Sequence, residues 1–123
     1  GRVLVRLSIQ KRKGGLHLLD AKTGAALAST EDGRFARVWH AEGPGSPYAV
    51  VSSDAGLRVL ALGGGSFDEV ATIATGSPVD MLDVGPATEA GAFAVHALLE
   101  PTGDGPLVVR RYLVRPSAPR ASA

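Results

Sequence analysis

The most constraining feature of this sequence is a recurrence. Gly15-Leu16-His17-Leu18-Leu19 returns as Gly56-Leu57-Arg58-Val59-Leu60, each copy following a turn and each opening a short apolar run. The flanking runs recur in the same order. Val3 to Ile9 alternates in type with period two, as a strand with one buried face does. It is followed by the turn Lys11-Arg12-Lys13-Gly14-Gly15 and by the runs Leu16 to Asp20, Ala25 to Ser29 and Phe35 to His40. The second pass gives Tyr48 to Ser53, Leu57 to Leu62, Phe67 to Ala74 and Val79 to Val84. A third gives Ala92 to Leu99 and Leu107 to Val114, with Leu107 displaced from strict spacing because the hairpin before it is longer. With 16 glycines and 8 prolines breaking the chain, long helices are excluded, and helix is expected to fall below about a tenth of the residues.

A period of about 40 residues with four strands per period is the pattern of β-propeller blades. Lettering the strands of a blade A to D outward from the central channel, the chain reads B, C, D, then A, B, C, D, then A, B, C. The expected fold is therefore all-β, a partial β-propeller of about two and a half four-stranded antiparallel blades over residues 1–114. A disordered Pro/Ser/Ala/Arg-rich tail is expected over 115–123. The alternative for ten short strands is a β-sandwich. Alternation places Val3, Val5, Leu7, Leu18, Val50, Leu57, Val59, Val79, Leu82, Phe93, Val95 and Val108 in the core.

The segment from Leu18 to Leu27 resembles the end of strand C and the C-to-D turn of two repeat families, the WD40 repeats and the quinoprotein-type (PQQ-like) repeats. Asp20, Thr23 and Gly24 stand at the Asp/Asn and Thr-Gly positions of that turn. An Asx side chain there caps backbone N–H groups, and glycine takes the left-handed conformation that ends the turn. Other family positions depart: Leu19 stands where WD40 repeats carry tryptophan, and no Gly-His dipeptide precedes strand A. Ala28 stands at the tryptophan of the quinoprotein docking motif. In the second repeat Ala61 replaces the Asp, and Gly63-Gly64-Gly65 replaces the turn. The resemblance implies a degenerate propeller and gives no support for a bound quinone.

Composition removes several function classes. The absence of cysteine excludes disulfides, thiolate catalysis and thiol-ligated metal centres and leaves the compartment open. No apolar run approaches the roughly 18 residues that cross a bilayer as a helix. A chain starting Gly1-Arg2-Val3, with no initiator methionine and no apolar leader, is expected to be a processed or excised product. The formal charge of +1 divides unevenly, with +5 over residues 1–39, −8 over 40–104 and +4 over 105–123. Such a division argues against general nucleic-acid affinity and for contacts between segments of opposite sign.

Few residues carry chemistry. His17, His40 and His96 fall in separate strands without a carboxylate or second histidine at ligand spacing, so no metal site is expected. Ser53, His96 and Asp83 supply the residue types of a hydrolytic triad, but no nucleophile turn surrounds the serine. Gly63-Gly64-Gly65-Ser66 lacks the lysine and following helix of a phosphate loop and reads as a hairpin connection. The candidate partner-binding residues are Lys11, Arg12 and Lys13, a basic hairpin tip near Arg2 and Arg6, together with Trp39. The tip suits an acidic protein better than nucleic acid, because no aromatic residue precedes Phe35. Trp39 suits either a partner surface or the packing between neighbouring blades.

The expected role is a non-enzymatic protein-interaction scaffold, a propeller segment completed by a protein partner, by further copies or by the rest of a longer chain. No cofactor, small-molecule ligand or membrane contact is expected. The alternative is a quinoprotein-like ligand-binding or enzymatic domain.

Overall fold

The computed structural model describes residues 2–7, 15–31, 35–40, 46–101 and 103–116, the first of these segments by its backbone alone. Ten strands run through them: β1 (Arg2–Leu7), β2 (Gly15–Asp20), β3 (Ala26–Thr30), β4 (Ala36–Trp39), β5 (Tyr48–Ser53), β6 (Gly56–Ala61), β7 (Asp68–Ala74), β8 (Val79–Pro86), β9 (Phe93–Leu99) and β10 (Val108–Val114). Each apolar run expected to be a strand contains one, and no helix occurs among the described residues. Bounds move by a residue or two; β8 extends to Pro86, and Leu107 precedes β10. The tail expected from 115 begins outside any strand at Arg115 and Pro116, and its remainder lies outside the described residues.

The strands pair into three antiparallel meanders, β1-β2-β3, β4-β5-β6-β7 and β8-β9-β10. The turns that join them are built locally. After β2, Asp20 Oδ1 accepts from the backbone N–H groups of Lys22 at 2.8 Å and Thr23 at 3.1 Å, while Thr23 Oγ1 accepts from Ala25 N–H at 3.2 Å. Gly24 closes the turn at φ 73°. The Gly63-Gly64-Gly65-Ser66 segment joins β6 to β7, with Gly65 N–H donating to the Leu62 carbonyl at 3.1 Å.

The middle sheet is covered on both faces. Pairing sets Tyr48, Val50, Leu57, Val59 and Ala61 on one face, where they pack with Leu82, Phe93, Val95, Ala97 and Leu99 of the third sheet. Ala49, Val51, Leu60 and Leu62 belong to the opposite side and pack with Leu16 of the first sheet. This explains why β5 and β6 are buried almost continuously rather than alternately. The first strands of the second and third meanders also meet, β4 lying against β8.

Leu18, Val50, Leu57, Val59, Val79, Leu82, Phe93 and Val95 are buried as expected. Val3, Val5 and Leu7 belong to the segment described by its backbone alone. Val108 is a correction: it touches the core cluster but is only half-buried. It opens β10, which pairs with β9 alone, so no further strand shields it.

The recurrence extends to the backbone. A β-bulge shifts the β2–β3 register between Leu18 and Leu19, and another shifts the β6–β7 register between Val59 and Leu60, the same place in each repeat. Leu16 and Leu57 are each the second residue of their strand, and each pairs between two neighbours. They are therefore topological equivalents, and so are Leu18 and Val59.

Candidate interaction site

Equivalent positions can be compared for what covers them. Leu16 and Leu18 are 1% and 2% exposed on the side of the first sheet that meets the second, and Leu57 and Val59 are 1% and 0% exposed where the second meets the third. In the third sheet Val109 is the second residue of β10, as Leu16 and Leu57 are of β2 and β6, and both Val109 and Leu107, just before the strand, are 65% exposed. An apolar residue at the second place of the strand is thus closed twice and open once.

Around Val109 the outer face of the third sheet is an ordered surface. Met81 and Val109 both pair with Leu98, giving one apolar row across all three strands, with Met81 also exposed. A second row runs Gly85, Ala94 and Leu113. Between them lies a polar row of Asp83, His96 and Arg111, and Arg111 Nη2 stands 4.0 Å from Glu89 Oε2. Two apolar rows flanking a charged row are suited to another sheet better than to a small molecule, because the polar groups run in a line between the apolar ones and do not converge.

Trp39, one of the expected partner-binding residues, lies on β4 and stacks on Phe93 with ring centroids 5.8 Å apart and an interplanar angle of 24°. Tyr48 flanks the same Phe93 ring at 6.3 Å. Trp39 is half-buried, in contact with the cluster between the second and third sheets. Lys11, Arg12 and Lys13 lie outside the described residues. Arg2 and Arg6 are placed on β1 by backbone only.

The structure keeps the other chemistry-bearing residues apart. His17 is on β2, His40 follows β4, and His96 is on β9. No group of three or more His, Asp or Glu residues able to hold a metal occurs among the described residues. Asp83 and His96 are cross-strand partners on the outer face of the third sheet. Ser53 sits at the end of β5 in the middle sheet, so the three residues do not assemble as a triad.

Among the described residues, two shallow grooves open to solvent. One of about 250 Å³ lies among Thr75, Ser77, Leu99, Pro106 and Arg110, and one of about 400 Å³ lies along Asp54, Leu57, Arg58 and Ile73. In the second, Arg58 Nε meets Glu69 Oε1 at 2.8 Å and Arg58 Nη1 donates to Thr30 Oγ1 at 3.3 Å, a bond that ties the first sheet to the second. Neither groove encloses a ligand-sized cavity with convergent polar groups.

Met81, Leu98, Val109 and Leu113 were not singled out by sequence reasoning. The available signal was the alternation that sets Leu107, Val109 and Leu113 on one side of their run, with Leu107 one repeat on from Leu57, displaced by the longer hairpin. No family model matches the chain, and no curated protein or solved structure matches it significantly.

Proposed function

We propose that the chain is a segment of a β-propeller that serves as a non-enzymatic protein-interaction scaffold, completed by further sheets from a longer chain or a multi-subunit assembly. The observation that carries this reading is the middle sheet. Its two faces are both covered by neighbouring meanders, with Leu16 of the first on one side and Leu82, Phe93 and Val95 of the third on the other. A two-layer sandwich leaves one face of each sheet to solvent. A propeller stacks successive four-stranded meanders in this way, with the first strand of each nearest the axis. The contact of β4 with β8 agrees with that order.

Function follows from incompleteness. Three sheets are fewer than the four to eight that close a propeller, so the end faces retain apolar side chains whose burial against another protein is favourable. Assembly is then the purpose of the exposed Met81, Leu107, Val109 and Leu113.

The test is the native mass of the material that contains this chain, with its absorbance spectrum. The expected result is a protein complex well above the 12.6 kDa of the chain, without a chromophore. A free monomer carrying an absorbing cofactor overturns the reading in favour of a quinoprotein-like domain.

A further inference from the structure

We infer that the two ends of the stack are complementary halves of one interface, so that the chain binds a second copy of itself head to tail. The outer face of the β8–β10 sheet of one copy packs on the outer face of the β1–β3 sheet of the next. This inference rests on the stacked-repeat reading above and adds the identity of the partner.

The interface between the first and second sheets supplies the template. On one side it is made by Leu16, on the other by Ala49, Val51, Leu60 and Leu62. Val109 holds the place of Leu16 in the third sheet and is exposed, together with Leu107, at the end of the stack. The second half is repeated at the opposite end. Leu19 is the counterpart of Leu60 in the preceding repeat and lies on the side of β2 away from Leu16 and Leu18, where it is half-buried. In the β1–β2 register, Val3 and Val5 stand opposite Leu19 and His17, as Ala49 and Val51 stand opposite Leu60 and Arg58 in the middle sheet. Each copy therefore carries both a surface that seeks a following sheet and a surface that fits a preceding one.

Charge selects the same arrangement. The described residues of the first segment, 2–7 and 15–31, carry Arg2, Arg6 and Lys22 against Asp20 and Glu31, a net of +1. Residues 79–114, which contain the third, carry Asp80, Asp83, Glu89, Glu100 and Asp104 against Arg110 and Arg111, a net of −3. Contact of like ends is opposed by repulsion, and contact of unlike ends is favoured at low salt. Such an interface is heterologous, and it closes when the rotation between copies completes a ring. Two copies contribute six sheets, within the four to eight that close.

The experiment uses sedimentation of the purified full chain and two variants, Val109→Asp on one end face and Leu19→Asp on the other. The wild type is expected to sediment as a dimer at micromolar concentration, and each variant alone as a monomer, its dissociation constant raised by at least about tenfold. An equimolar mixture of the two variants is expected to recover a dimer, because each retains the end face that the other has lost. That recovery also shows that both variants fold; Met81→Asp, at an exposed position, replaces Val109→Asp should the latter fail to unfold cooperatively. A wild-type monomer, dimerisation unaffected by either variant, or a mixture that stays monomeric overturns the inference. Where the purified wild type is monomeric and the native material is nonetheless a cofactor-free hetero-complex, the scaffold reading stands and the self-association fails alone.

Discussion

Trp39 and Phe93, distant in sequence, stack across the gap between the second and third sheets with their ring centroids 5.8 Å apart. Phe93 is fully buried and also meets Tyr48, so one ring from the third sheet is received between two from the second. Phe93→Ala is therefore expected to destabilise the fold by about 3–5 kcal/mol, the range for removing a buried aromatic. A double-mutant cycle with Trp39→Ala should give a coupling of about 0.5–1.5 kcal/mol, read from chemical denaturation. Additive effects would show that the rings do not support each other in solution.

Gly56 opens β6 at φ 142°, and a Cβ built there would come within 2.1 Å of the Ile73 carbonyl oxygen. Both the backbone conformation and the close approach of β7 require glycine. Gly56→Ala should cost at least about 2 kcal/mol, because positive-φ strain alone is worth roughly 1–3 kcal/mol. Gly85→Ala, where a Cβ meets nothing within 4 Å and φ is not positive, is the control and should change the melting temperature little.

Asp20 is held below the ordinary carboxylate value by the backbone N–H of Lys22 first and that of Thr23 second. A folded-state pKa below the unfolded value of about 3.9 means that the unfolded chain binds the proton more readily. The contribution of the ionised side chain is then fully present above the unfolded value and is lost as pH falls through the folded one. Asp20→Ala should lower the melting temperature at pH 7, and the difference from wild type should shrink when both are measured near pH 2.

Arg58 and Glu69 form a short ion pair, yet the Glu69 side chain is 43% exposed. Water and salt screen such a pair, so Glu69→Gln should cost no more than about 1 kcal/mol. Arg58→Met is expected to cost more, since it also removes the bond to Thr30 Oγ1 that crosses from the second sheet to the first. Urea denaturation of the two variants would show the order, and a larger loss in Glu69→Gln would reverse this assignment.

Strand positions were legible because they depend on neighbours in sequence. Alternation in Val79 to Val84 and the glycine-rich breaks around Leu57 to Leu62 are local signals, and the Asp20 turn carries its own donors and acceptors. Burial at the ends of the stack was less legible. In Leu107 to Val114 the two alternate sets are Leu107, Val109, Arg111, Leu113 and Val108, Arg110, Tyr112, Val114, and each mixes apolar residues with arginine. Which set is inside depends on the presence of another sheet, which hydropathy along one strand does not encode. The partner of Trp39 was hidden for the same reason, since only the stacking of sheets brings Phe93 to it.

The in-phase bulges at Leu18/Leu19 and Val59/Leu60 bear on how such a chain tolerates length change. A one-residue insertion in β5 or β6 exchanges their two faces, and because both faces are buried, neither exchange finds solvent to receive the misplaced side chains. Inserting or removing an entire repeat, by contrast, presents each neighbour with a bulge at the same place and a leucine second in the bulged strand. Variation by whole modules is therefore less disruptive for this architecture than the gain of a single amino acid inside one.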